Sequence, residues 1–429
     1  MELALPFGTQ KIQFTVPFPL RNLAAARCEA PPKPGDWKDL AARALDSPIG
    51  AGPLHGLRRG IGKAAILVAP GFTAAPVVLP IIIDQLRRTG VPASDIAIIL
   101  ACGDEPAAPG EPLATLGPEL AREHACAAHD AFAGGLRFRG FTALGAPVFL
   151  NLLAAEAEFI VAVGTVQPHP WYGYSGGAQE FLPGICGAET IARNDGLGFS
   201  AGSAYGSLGT NPCRLEMESA AAANGLKFVL DFVLSPDGRP LAAFAGDPLK
   251  AHRAAVNWGD RAVWGAELGG PADAAIASPG HDWPGDRPFD PRALDYVAAG
   301  IKPGGTIVCL ASRASLPRPR RGNGPDLARA SIADLAKLHE KRTWPGDPRR
   351  VHAGLRAVRE AYLARRPFNT RSVILAGSDL SWEELELLNA EQADSLQEAV
   401  EMLVDRHGED ARVALVPDAL TTLCLPEFH

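Results

Sequence analysis

The run "EFIVAVG" (158–164) leads through Thr165 and Val166 into "QPHPWYGYSGGAQEFLPG" (167–184). The first part is a short apolar run of the kind that fills a buried strand. The second holds His169 between two prolines, the aromatics Trp171, Tyr172 and Tyr174, and then Ser175-Gly176-Gly177. A buried strand that runs into a long connection marks the carboxyl edge of a sheet, where α/β proteins keep their ligands. Ser-Gly-Gly offers backbone N–H groups to an anion. His169 can serve as acid, base or ligand, and the aromatics can wall a flat cofactor. A structural reading competes: glycines mark turns, aromatics pack, and a lone histidine is often only hydrogen-bonded.

Outward from this stretch the same strand signal recurs. "AAILVA" (64–69), "IAIILA" (96–101), "PVFLNLL" (147–153), "KFVLDFVL" (227–234), "GTIVCLA" (305–311), "SVILAG" (372–377) and "RVALVP" (412–417) read as strands. Helical patterns separate them, which predicts an α/β class. Asn211-Pro212, Asp247-Pro248, Asp290-Pro291 and Asp347-Pro348 each set a capping side chain before a proline, a helix start. Ser381 with Glu384 and Ser395 with Glu398 have capping-box spacing. Gly225, Gly259, Gly300 and Gly408 stand where left-handed helix ends are expected. "ELAREHACAAHDAF" reads as a helix on which His124 and His129, five apart, do not share a face.

A chain of 429 residues predicts two domains. The boundary is expected near "LGGPADAA" (268–275), giving an α/β domain over 1–270 and a second over 271–414. The apolar tail, 415–429, is expected to return to the first. Hydrophobic residues make up 47% and charged residues 21%, the composition of a soluble protein with ample core. The net charge of −7 argues against nucleic acid as a partner, and no apolar run is long enough to span a membrane. Seven scattered cysteines without a C-x-x-C pair, and no leader-like N-terminus, point to the cytoplasm. The basic stretch "LPRPRRGNG" (316–324) reads as an exposed loop. His281 and Trp283, in "SPGHDWPGDRP", are a second choice for ligand contacts.

The 167–184 stretch resembles the lactate racemase family, enzymes that use a nickel-pincer nucleotide. Pro168, His169, Gly173, Tyr174, Ser175, Gly176, Gly177, Pro183 and Gly184 match its motif, as do Thr190-Ile191 and Asn194. "GTNPCRLEME" (209–218), "FAGDPLKAHRAA" (244–255), "IKPGGTIV" (301–308) and "DARVALVPD" (410–418) follow in the family's order. The resemblance implies two α/β domains with a cleft between them and a small hydroxy acid or nucleotide-like ligand. It also implies a cofactor cradle of Tyr174, Ser175, Gly176, Gly177 and Gln179.

The departures fall where the chemistry belongs. "APGFTAAPVVLP" (69–80) lacks the Asp and Arg of the family's phosphate motif. Asp104 stands for one of two acid/base histidines, and Gln179 for the lysine that tethers the cofactor. Asp195 stands for the nickel-ligating histidine and is a harder ligand. Pro291 and Leu294 replace a Gln and a Lys that hold substrate. The resemblance therefore implies a racemase or epimerase of a small 2-hydroxy acid with an altered site. His169 and Asp104 would be its acid/base pair, and Asp195 would hold a divalent ion or orient His169. The alternative is an inactive small-molecule-binding or regulatory protein of the same fold. The cofactor is left open between the nickel-pincer nucleotide of the resemblance, another divalent metal and none.

Overall fold

The computed structural model describes residues 1–19, 22–26, 32–56, 62–105, 107, 110–200, 202–280, 290–311, 327, 330–341 and 347–429. Cys28, His281, Trp283 and the 316–324 stretch lie outside the described residues. The chain divides into two compact units, 31–259 and 1–30 with 260–429.

The 31–259 unit is built on a six-stranded sheet. In spatial order its strands are Pro240–Gly246, Leu226–Leu234, Phe159–Val166, Ala64–Val68, Ile96–Leu100 and Ala125–Ala128. All pairings are parallel except the Pro240–Gly246 edge, an antiparallel hairpin with Leu226–Leu234. Ala64–Val68 and Ile96–Leu100 are buried at every position, which explains why they read as unbroken apolar runs. The helices Trp37–Asp46 and Ala75–Arg88 cover one face, packing Leu45, Val78, Leu79 and Ile82 against Ile66, Val161 and Leu230.

The order of these strands places a site. From Ala64–Val68 the chain steps outward through Ile96–Leu100 to Ala125–Ala128. It then returns to the other side of Ala64–Val68 with Phe159–Val166. The topological switch point therefore lies between Ala64–Val68 and Phe159–Val166, at whose carboxyl ends open sheets of this kind bind ligands.

The other unit has its own six-stranded parallel sheet. Its strands run Ala390–Ala393, Ser372–Ala376, Ile301–Leu310, Ala272–Ala277, Val413–Val416 and Leu23–Ala25. The cap signals hold there and elsewhere. Asn211 accepts from the Arg214 N–H, Asp347 from those of Arg349 and Arg350, and Ser381 with Glu384 closes both arms of a capping box.

Several expectations are corrected. Residues 1–30 add an edge strand to the second sheet rather than to the first, through Leu23 to Ala25 beside Val413 to Leu415. The tail strand Leu423–Leu425 pairs with Gly265–Glu267, and both belong to that same unit, so the division falls at 260 and not at 270. His124 and His129 are not on a helix. The helix Pro118–Glu123 stops at His124, and the Ala-rich Ala125–Ala128 that follows pairs with Ile96–Leu100 as the sheet's edge. Pairing there overrides the helix preference of alanine. The 147–153 run is a strand only over Pro147–Leu150, because Asn151 caps a short helix. Gly225 and Gly408 do take positive φ, 100° and 74°. Gly259 and Gly300 do not, and Gly300 is instead packed where a Cβ would lie 2.6 Å from Leu268. Among the described residues no helix is long and apolar enough to cross a membrane.

Candidate functional site

Beyond Val166 the chain makes a two-residue hairpin, Pro168–His169 against Gly173–Tyr174. Gly173 turns it at φ 76°, and a Cβ there would fall 1.7 Å from the Ser207 carbonyl oxygen. Only glycine fits such an approach. Within the turn, His169 Nδ1 accepts the backbone N–H groups of Trp171 at 3.2 Å and Tyr172 at 3.1 Å. These bonds assign the ring proton of neutral His169 to Nε2. The imidazole stacks on Tyr172, with centroids 4.6 Å apart and planes 5° from parallel. The Tyr172 hydroxyl donates to Asp195 Oδ1 at 2.9 Å. The Trp171 indole N–H donates to the Asp195 backbone carbonyl at 3.2 Å. Asp195 therefore reaches His169 through Tyr172, as part of its mounting.

The sequence expectation for the aromatics changes accordingly. Trp171, Tyr172 and Tyr174 are all buried, and Trp171 fills the space over Gly198, where a Cβ would lie 2.0 Å from its ring. Apart from the Tyr172–His169 stack, these rings form a packed base and no open wall. The 175–177 loop is also committed internally. The Ser175 N–H donates to the Gln167 carbonyl, and the Ser175 hydroxyl donates to the Thr165 carbonyl at 2.8 Å. The Gly177 N–H donates to Asp231 Oδ1 at 3.0 Å. Two of the three N–H groups expected to receive an anion thus already have protein acceptors.

Asp104 lies in the turn after Ile96–Leu100 and is buried. That turn is joined to the far end of the same connection, where the Gly103 N–H donates to the Gly184 carbonyl at 2.9 Å. Thr190 ties the next helix, Ala188–Leu197, to the strand before it, donating to Pro147 O at 2.7 Å and accepting the Phe149 N–H. Gln179 Oε1 and both amide atoms of Asn194 are buried without a hydrogen-bond partner.

Sequence reasoning missed the frame under this loop. Arg214, fully buried at the first turn of Pro212–Ala223, donates to the carbonyls of Tyr172, Tyr174 and Gly176. His252 Nε2 donates to Ser175 O at 2.8 Å, and its Nδ1 accepts from Arg253. Burial and the two arginines push its pKa well below the usual histidine range. Glu180 and Asp231 are buried carboxyls whose pKa values burial raises, to about 8 and about 7. Asp231 carried a legible signal, a charge in the middle of "KFVLDFVL", which a strand buried on both faces admits only with partners.

Among the described residues no three of His, Cys, Asp and Glu gather as a metal cluster. The nickel-pincer nucleotide implied by the resemblance fares no better against the residues present. Gln179 cannot form the covalent tether, and the 175–177 amides are largely used. The 69–80 stretch after Ala64–Val68 holds neither Asp nor Arg, so it brings no guanidinium fork to a phosphate. The anchors of that group do not fit here.

Residues 7–206 match the lactate racemase N-terminal domain. The chain is similar to the lactate racemase of Thermoanaerobacterium thermosaccharolyticum, 25% identical over 437 residues and 98% of each chain. It is likewise similar to that of Lactiplantibacillus plantarum, 27% identical over 394 residues, 89% of this chain and 90% of the relative. The solved lactate racemase apoprotein from T. thermosaccharolyticum superposes with a TM-score of 0.70 at 24% identity, covering 99% of this chain and 100% of that one.

Proposed function

We propose, from the premise that this chain is a member of the lactate racemase family, that it is a racemase or epimerase of a small 2-hydroxy acid whose site has been rebuilt around His169. The observation that carries this is the mounting of His169. Two backbone N–H groups hold Nδ1, a stacked tyrosine fixes the ring plane, and a buried carboxylate anchors that tyrosine. A histidine held in one tautomer and one orientation suits proton transfer at a substrate hydroxyl, provided Nε2 alternates between donor and acceptor. Asp104, on the neighbouring strand end, is our choice for the second acid/base group, and Asn194 and Gln179 for polar contacts to the ligand. Inverting the carbon also requires an acceptor for its hydrogen. In the resemblance a nickel-pincer nucleotide supplies it.

A second reading has an observation in its favour. The internal use of the Ser175 and Gly177 N–H groups suits a protein that binds a small acid without turning it over. One experiment separates the two. Purified protein is incubated with single enantiomers of a panel of 2-hydroxy acids, products are resolved on a chiral column, and binding is measured by calorimetry. Loss of enantiomeric purity that falls about a hundredfold or more in His169→Ala supports the racemase reading. Binding without inversion supports the second, and neither binding nor inversion rejects both.

A further inference from the structure

The frame beneath the 175–177 loop holds more acid than base. Glu180 follows the loop on the short turn Gly177–Glu180, and its carboxyl lies over the switch-point strand. A Cβ on Gly164 would stand 2.3 Å from Glu180 Oε1 and 3.4 Å from the Ala69 side chain. Asp231 rises from the adjacent strand, on the face opposite Leu230 and Phe232, and receives the Gly177 N–H on Oδ1. The second oxygens of the two acids, Glu180 Oε2 and Asp231 Oδ2, are buried and have no hydrogen-bond partner.

Every element packed on this pair contributes its charges to the count. Helix Pro212–Ala223 brings Arg214 and Glu218, one turn apart, while its buried Glu216 stands on the other side of that helix, and helix Pro248–Gly259 brings His252 and Arg253. Arg253 is spent on Glu218, through paired bonds of 2.8 and 2.9 Å. His252 is neutral, since one ring nitrogen donates to Ser175 O and the other accepts from Arg253. Arg214 remains as one positive charge. Its nearest carboxylate oxygen outside the pair is Glu218 Oε1, 3.9 Å away, and its N–H groups are directed to three loop carbonyls. Two ionised carboxylates would leave one negative charge uncompensated in a sealed interior, which is strongly unfavourable. One proton closes both deficits, because it neutralises that charge and supplies a donor.

We propose that Glu180 and Asp231 hold one proton between them beneath the 175–177 loop, and that its loss loosens the loop, so that the candidate site responds to pH. Burial shifts both acids upward, in agreement with this reading. The loop is the part able to yield. Gly176 and Gly177 sit at φ 79° and 63°, held there by Val166, Asp231 and His252, and by the bond from Gly177 to the acid that would become surplus. A second buried charge is relieved by admitting water, and the loop is what stands over it.

The test needs no substrate, so its result is independent of the racemase reading. Amide hydrogen exchange of the peptide spanning the loop is followed across pH by mass spectrometry, with intrinsic rates divided out. Wild-type protection should fall by up to about tenfold per pH unit between the ordinary carboxylate range and the point where the closed loop gives up its proton, and level off above that point. Glu180→Gln, the isostere of the protonated acid, should hold protection constant, and Asp231→Asn serves if that variant does not fold. Infrared spectra of the wild type should show a protonated carboxyl band at neutral pH that disappears at alkaline pH. Protection that ignores pH in the wild type, a pH response that survives both substitutions, or absence of that band overturns the proposal.

Discussion

Tyr172 donates its hydroxyl to Asp195 Oδ1 at 2.9 Å while its ring lies flat on His169. Asp195 stands where the resemblance places a metal-ligating histidine, and in this chain it anchors the ring that orients His169. Tyr172→Phe keeps the stack and removes the bond, leaving a buried carboxylate short of one donor. The expected loss is about 1–3 kcal/mol, read from urea unfolding midpoints. Asp195→Asn keeps an oxygen acceptor for the same hydroxyl and should cost less. Equal or reversed effects would show that the bond does not hold the turn together.

Gly173→Ala tests the hairpin beneath His169. The position has φ 76°, and the added Cβ would overlap Ser207 O at 1.7 Å. The left-handed conformation alone costs about 1–2 kcal/mol, and overlap with backbone adds to it. Thermal unfolding should show a loss above about 2 kcal/mol. Gly209→Ala, where a Cβ meets nothing within 4 Å, serves as the control and should be near neutral.

How much of this could be read beforehand depended on whether the signal was local. The apolar run that became Phe159–Val166 and the caps at Asn211, Asp347 and Ser381 are decided by neighbours in sequence, and they were legible. So was the connection carrying His169. The short "LAA" that became Leu23–Ala25 carries no pairing signal of its own, so its place in the second sheet was not. Ala125–Ala128 misled because alanine favours helices and only the partner strand decides otherwise. Glu180, Arg214 and Asp231 come from three separate stretches. Asp231 alone stands out locally, as a charge inside an apolar strand, and only the fold reveals that it and Glu180 lie around one arginine.

The same two acids give the protein's stability a signed dependence on pH. Their folded-state pKa values are raised, to about 8 for Glu180 and about 7 for Asp231, by burial. An unfolded carboxyl titrates near about 4. Between those limits the folded state binds more protons than the unfolded, so stability falls as pH rises. The contribution is fully present below the ordinary carboxylate range and is lost as pH passes through the folded values. Subtracting the profile of Glu180→Gln from that of the wild type isolates it. The difference should decline by up to about 1.4 kcal/mol per pH unit for one proton, then level off above the folded values. A difference that is flat, or that rises with pH, contradicts the buried protonated acid.

Arg214→Met removes the positive charge at the centre of the frame. Three carbonyls, those of Tyr172, Tyr174 and Gly176, lose their donor, and Glu180 and Asp231 lose the cation nearest them. Replacing one partner of a buried charged group costs about 3–5 kcal/mol, far more than exchanging all partners for hydrocarbon. The deficit carries its own pH signature. At acid pH the carboxyls are protonated and need no cation, so only the lost carbonyl bonds remain. As pH rises the unpaired acids either keep their protons or ionise without relief, and the gap to the wild type should widen. Urea unfolding of both proteins at several pH values measures that gap. Arg214→Lys restores the charge without the three-way fork and should recover the pH-dependent part only. A deficit independent of pH would mean that Arg214 supports the loop through its carbonyls alone and that the acids are compensated elsewhere.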